Sequence, residues 1–146
     1  MAVKHADGLS DRIFLDANVL FSAAYRADAG MLAFWKLRDA TLCSSRYAIE
    51  EARHNLSEEA QRRRLARLAE ELQLFDASGK EMPSGIALPV KDWPILLAAV
   101  EARATHLITG DVRHFGVHFG KKIQGVLVVT PSEYWKRRRM VESMNG

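Results

Sequence analysis

Short apolar runs, each closed by a polar or turn-forming residue, alternate along this chain with stretches of helical spacing. Ile13-Phe14-Leu15 predicts a short buried strand over 12–15, ended by Asp16. Helical spacing follows over 19–25 and 30–37, with Leu32, Phe34, Trp35 and Leu37 as core candidates. A second strand is expected over 41–44, then Ser45 as the cap of a helix over 46–56. Ser57 is placed to cap the next helix, where Glu58 and Glu59 suit the first turn and Leu65, Leu68, Ala69 and Leu72 recur at helical spacing. Residues 72–75 read as extended and 76–88, rich in Gly, Ser and Pro, as a loop. Asp92-Trp93-Pro94 opens a helix through Arg103, with Asp as cap and Pro in the first turn. Strands over 106–109 and 126–130 follow, and Pro131-Ser132-Glu133 starts a last helix.

Short apolar strands alternating with helices predict an α/β fold, a three-layer sandwich with a central, mostly parallel sheet flanked by helices. Ligands in such sheets bind beyond the carboxyl ends of the strands. Asp16 and Asp111 both stand at such an end, so they are expected to emerge on one edge. No internal repeat or linker divides the 146 residues, which are enough for a single domain with a substantial core. Residues 1–11 read as an N-terminal extension, 12–136 as the domain and 137–146 as a basic C-terminal tail.

Composition narrows the function classes. Apolar residues at 48% and charged residues at 27% are those of a soluble protein, and no segment supplies the roughly 18 apolar residues of a membrane span. No signal peptide opens the chain, and a cytoplasmic protein without membrane contact is expected. The single cysteine, Cys43, excludes a disulfide framework or a multi-thiolate zinc site and reads as a buried small hydrophobe. A net charge of +3 permits a polyanionic partner without requiring one.

Asp16, Glu51, Asp92 and Asp111 carry the candidate chemistry. Hard divalent cations take carboxylate and water oxygens, so convergence of these acids would make a Mg²⁺ or Mn²⁺ site. Each acid also has an ordinary reading. Asp16 or Asn18 caps the helix near Val19, Asp92 caps the helix before Pro94, Glu51 sits on a solvated face beside Glu50, and Asp111 is a turn residue.

Taken together, the segments Phe14-Leu15-Asp16-Ala17-Asn18-Val19-Leu20, Ala48-Ile49-Glu50-Glu51-Ala52-Arg53, Lys91-Asp92-Trp93-Pro94-Ile95-Leu96 and Leu107-Ile108-Thr109-Gly110-Asp111 resemble, in order and spacing, the PIN domain family. The ending Val128-Val129-Thr130-Pro131-Ser132-Glu133-Tyr134 is similar to that family's last strand and helix. The resemblance implies a PIN-like fold and a Mg²⁺- or Mn²⁺-dependent ribonuclease. Carried over by position, Asp16, Glu51, Asp92 and Asp111 are its catalytic acids; Asp16, Asp92 and Asp111 hold the metal, with Glu50 the rival of Glu51. Asn18 and Thr109 are supporting polar residues. The resemblance further implies the toxin of a type II toxin–antitoxin pair (VapC-type), an RNA substrate, a small antitoxin partner and a homodimer. About ten residues before the first strand depart from the short toxins.

Phosphate neutralisation requires cations near the acids, and Arg46, Arg53, Arg113 and His114 are the nucleic-acid-binding candidates, with Arg26 and Lys91 beside them. Lys136-Arg137-Arg138-Arg139 reads as a solvating tail, and Arg62, Arg63, Arg64 and Arg67 as the solvated face of their helix. His114-Phe115 and His118-Phe119 are weak grounds for a transition-metal site, and the two phenylalanines read as packing residues. The alternative functions are a catalytically inactive RNA-binding or regulatory module of the same fold, and a nucleotide-handling α/β enzyme. Against the latter, no glycine-rich phosphate loop is present.

Overall fold

Ile13, Phe14 and Leu15 have no exposed surface, although successive strand side chains point to opposite faces, so both faces of the central strand are covered. The computed structural model describes residues 10–77, 79 and 81–145; residues 1–9, most of the expected N-terminal extension, lie outside the described residues. The strands are β1 (Asp11–Leu15), β2 (Ala40–Ser44), β3 (Gln73–Leu74), β4 (His106–Ile108), β5 (Lys122–Ile123) and β6 (Val126–Val129). The α-helices are α1 (Ala17–Tyr25), α2 (Arg46–Asn55), α3 (Glu59–Ala69), α4 (Trp93–Glu101), α5 (Val112–Phe115) and α6 (Pro131–Asn145). Among the described residues the strands form one sheet in the order β3-β2-β1-β4-β6-β5. Every pairing is parallel except β5 with β6. The expected α/β architecture is therefore present. Among the described residues no helix is long and apolar enough to cross a membrane.

Local chemistry accounts for most element ends, and it corrects several expectations. Ser45 caps α2 as expected, its hydroxyl accepting from Ala48 N at 3.1 Å. Glu58, not Ser57, stands at the start of α3, where Gln61 Oε1 accepts from Glu58 N at 3.1 Å. The helix expected over 30–37 is present as Gly30–Lys36, wound as a 3₁₀ helix. Seven residues have little helical preference of their own, so anchoring decides the winding: Phe34 packs on Trp135 with centroids 4.8 Å apart, and Trp35 Nε1 donates to Leu68 O at 3.1 Å. The helix expected through Arg103 stops at Glu101. Arg103 takes φ +52°, and Ala104 N and Arg103 N donate back to Ala99 O and Val100 O, closing the helix end without a glycine. The short β5 was not expected; Gln124 and Gly125, at φ 53° and 85°, form the tight turn joining it to β6.

The largest correction concerns the chain ends. Asp11, assigned by sequence to the extension, is the first residue of β1 and is buried. The segment read as a basic tail continues α6, and Arg138 within it is only 7% exposed. Its guanidinium donates to Tyr134 Oη at 3.0 Å and to Asp39, and lies 3.6 Å from Asp11 Oδ2. Tyr134 in turn donates to Asp11. Two of the four arginines of α3, Arg62 and Arg64, are likewise less solvated than expected, while Arg63 and Arg67 are exposed as expected. Arg62 Nε donates to Leu56 O at 2.8 Å and Arg64 Nη1 to Ala24 O at 2.6 Å. Cys43 is buried, as expected.

Candidate active site

β1 and β4 are neighbours, yet the chain leaves β1 toward β2 and β4 toward β6 on the other side. That makes their carboxyl ends the switch point of the sheet, where a cleft opens. The cleft has a volume of about 580 Å³ and is lined by Asp16, Glu51, Asp92 and Asp111. All four acids singled out by sequence are thus brought together. Glu51 lines the cleft, whereas the carboxylate of Glu50 lies 4.0 Å from Arg53.

Asp16 is the most tightly held of them. Oδ1 accepts from Ala17 N at 2.6 Å, so the residue also caps α1. Oδ2 accepts from Thr109 Oγ1 at 2.8 Å and Asn18 Nδ2 at 3.2 Å. Thr109 Oγ1 in turn accepts from Asn18 Nδ2 at 3.2 Å and Asp111 N at 3.1 Å, which saturates one hydroxyl. Asn18 Oδ1 accepts from Gly110 N at 2.8 Å. The two supporting residues named from sequence therefore tie the end of β1 to the end of β4. Asn18→Ala removes three of these bonds, and any chemistry that depends on the placed acids is expected to slow about tenfold or more, as when a group that orients a reactive side chain is lost. A kcat measurement beside a urea melt would check this; a large stability loss with unchanged kcat would refute the orienting role.

Burial pushes the Asp16 carboxyl up to about 6, opposed by the Thr109 and Ala17 hydrogen bonds and reinforced by the carboxylates of Glu51 and Asp92. Asp92 is also raised by burial, against the opposing pull of His114 and Lys91. Its expected cap role is absent: no cap bond is made by its side chain, which faces the cleft. The Pro94 that follows keeps its expected place in the first turn. Asp111 does cap, with Oδ1 accepting from His114 N at 3.0 Å.

Among the expected nucleic-acid contacts, Arg46, Arg53 and Arg113 are exposed and do not line the cleft, while Lys91 does. Arg26 lies outside it and pairs with Asp28 at 3.5 Å. His114 is turned inward, its Nδ1 3.0 Å from Asp92 Oδ2 and 2.9 Å from Asp111 Oδ2. His118 is buried against the loop, Nε2 2.7 Å from Ala87 O, and Phe115 is core, as expected of a packing residue. Sequence reading missed Tyr47, whose hydroxyl donates to Lys91 O at 2.6 Å and whose ionisation is raised by burial and then by Glu51, Asp92 and Asp16. It also missed Asn55, which lines the cleft one helical turn beyond Glu51; the i, i+4 spacing was the available signal.

A mostly parallel sheet with an acidic cleft at its switch point is the α/β domain that the alternation of strands and helices implied. The chain belongs to the PIN domain family, whose model, described as PIN domain, matches residues 12–113. A chain of VapBC2 from Rickettsia felis, solved bound to a DNA fragment from their promoter, superposes with a TM-score of 0.62 at 17% identity, covering 82% of this chain and 98% of that chain. A chain of FitAB bound to IR36 DNA superposes with a TM-score of 0.45 at 20% identity, over 82% of this chain and 94% of that one. No curated protein matches the sequence.

Proposed function

We propose that this PIN domain is a metal-dependent endoribonuclease, the toxin of a toxin–antitoxin pair. The observation that carries the nuclease reading is the convergence of Asp16, Glu51, Asp92 and Asp111 on one cleft. These acids fit a divalent cation. Their oxygens are hard donors, and Asp92 Oδ2 is buried with no hydrogen-bond partner among the described residues. Asp16, Asp92 and Asp111 would hold the ion, with Glu51 at the more exposed wall. A bound Mg²⁺ or Mn²⁺ would supply an activated water and polarise the scissile phosphoryl group.

The protein's own part is positioning. The Asn18–Thr109 lattice fixes Asp16 and Asp111 before substrate arrives. Lys91 offers a cation at the cleft wall, and Arg46, Arg53 and Arg113 are exposed for backbone phosphates. A second groove of about 570 Å³ shares Phe21, Ser22, Met31 and Pro131 with the cleft and adds Tyr25, Arg26 and Trp135. Aromatic side chains beside a cleavage site suit unstacked bases, which favours single-stranded RNA over duplex. The toxin assignment, with its small antitoxin, rests on the family resemblance and is supported by the likeness in fold to the VapBC2 chain; the homodimer rests on the resemblance alone.

The test is cleavage of single-stranded RNA with Mg²⁺ or Mn²⁺, comparing wild type with Asp111→Asn. The expected outcome is metal-dependent cleavage that drops by at least about a hundredfold in the variant, with RNA affinity that falls as salt rises. Equal cleavage by both proteins would overturn the reading. Salt-sensitive RNA binding with no cleavage under any metal would instead establish an inactive binding module.

A further inference from the structure

The donor atoms of the cleft divide into two groups. Both oxygens of Asp16 already accept hydrogen bonds, from Ala17 N, Thr109 and Asn18. At the other wall, Asp92 is 8% exposed, and its Oδ2 together with His114 Nδ1 are buried atoms with no hydrogen-bond partner among the described residues. They lie 3.0 Å apart, and Asp111 Oδ2 is 2.9 Å from the same nitrogen. Neither contact of the imidazole has hydrogen-bond alignment. All three donor atoms fall within 4.8 Å of one another.

A protonated imidazole would hold the three atoms as an ion pair without an aligned hydrogen bond, and a shared cation in place of that proton would join all three directly. Neighbouring ligands on an octahedral ion with bonds of about 2.1 Å stand about 3 Å apart, the spacing seen here between nitrogen and each oxygen. Backbone geometry supports this role. The bond from His114 N to Asp111 Oδ1 fixes the start of α5, which leaves Asp111 Oδ2 and the ring nitrogen facing each other.

We propose that His114 Nδ1 is a donor of the metal centre with Asp92 and Asp111, and that this nitrogen makes the centre select a divalent transition cation over Mg²⁺. The inference rests on the reading of the cleft as a metal site and goes beyond it by naming a fifth residue and a class of ion. Mg²⁺ demands oxygen donors and gives up its waters reluctantly, whereas imidazole nitrogen is a good ligand for transition ions, with affinity rising from Mn²⁺ through Co²⁺. A site of four carboxylates has no such bias. His114 thereby acts on metal choice instead of on the phosphate backbone.

Mn²⁺ is the probe. The full chain loaded with one equivalent of Mn²⁺ is examined by pulsed electron paramagnetic resonance for ¹⁴N coupling of a directly bound imidazole. Mn²⁺ and Mg²⁺ affinities are measured by calorimetry for wild type and His114→Gln. The expected results are a ¹⁴N signal in the wild type, its loss in His114→Gln, and a Mn²⁺-over-Mg²⁺ preference that falls about tenfold in the variant. Bound Mn²⁺ without a ¹⁴N signal overturns the role of His114 while leaving the nuclease reading intact. Equal losses of affinity for both ions overturn the selectivity. No binding of either ion overturns both readings at once. The wild-type spectrum decides the point even where the variant folds poorly.

Discussion

Asp16→Asn is expected to lose at least about a hundredfold in RNA cleavage while melting higher than the wild type at pH 7 without metal. The loss follows from removing a charged oxygen donor from the proposed metal centre, where a single such interaction is worth several kcal/mol in the transition state. The gain follows from burial. Asp16 is almost without exposure and its carboxyl is pushed from 3.8 up to about 6 by that burial, with Glu51 and Asp92 adding repulsion. A pKa raised on folding means that the folded state binds the proton more tightly than the unfolded one. The stabilising effect of that proton is fully present below about 3.8 and is lost as pH rises through about 6. At pH 7 the wild type therefore carries the whole penalty, on the order of 3 kcal/mol for such a shift.

Asn removes the charge and keeps an oxygen for Ala17 N, but its amide nitrogen meets two donors, the Thr109 hydroxyl and Asn18 Nδ2, which both lose that acceptor. The net gain is thus on the order of 1 kcal/mol, roughly 3–5 °C for a chain of this size. Melting curves of metal-free protein at pH 7 and pH 4 check the sign: the advantage of the variant should vanish at the lower pH. A variant less stable than wild type at pH 7 would show that Asp16 is a net stabilising hydrogen-bond centre and not a strained ligand.

Arg138→Ala should destabilise the domain by about 3–5 kcal/mol without altering cleavage per folded molecule. Arg138 is buried, and its guanidinium faces Asp39, Asp11, the Tyr134 hydroxyl and, at 3.6 Å, Glu142. Truncation withdraws the cation from Asp11, which is buried, and Asp39, which is half-buried, and breaking a buried pair from one side carries that scale of cost. Burial and the bond to Asp11 also raise the Tyr134 phenol, so its hydroxyl keeps its proton and goes on donating to Asp11. Arg138→Lys restores a charge but not the forked geometry and should recover only part of the loss. Urea unfolding measures both. A change below about 1 kcal/mol for Arg138→Ala would mean that the pairing is no better than a surface ion pair. Activity should be spared because Asp11 opens β1 whereas Asp16 follows its far end.

The contrast between these two residues shows how far the chain could be read unaided. Asp16 was legible because it interrupts an apolar run at a strand end, a position with a geometric meaning before any packing is known. Arg138 was not legible, since it stands in Lys136-Arg137-Arg138-Arg139 and nothing in such a run marks which side chain turns inward. Only the docking of α6 beside the start of β1 selects it. The same holds at the cleft. Sequence order placed Asp16 and Asp111 on one edge and the family resemblance added Asp92 and Glu51, but whether Glu50 or Glu51 faced inward depended on the rotation of α2. His114 followed an acid in a basic stretch and read as a phosphate contact; the single turn of α5 brings its ring between Asp92 and Asp111.

By itself, the sequence determined the alternation of strands and helices, the mostly parallel sheet and the edge on which Asp16 and Asp111 emerge. These follow from periodicity and caps, which act over a few residues. Tertiary structure alone decided the 3₁₀ winding at Gly30–Lys36, the glycine-free stop of α4, the burial of Arg138 and the inward turn of His114. Each of these depends on which side chains meet across long separations in the chain. Local preferences of a few tenths of a kcal/mol do not outweigh packing and buried-charge terms of several.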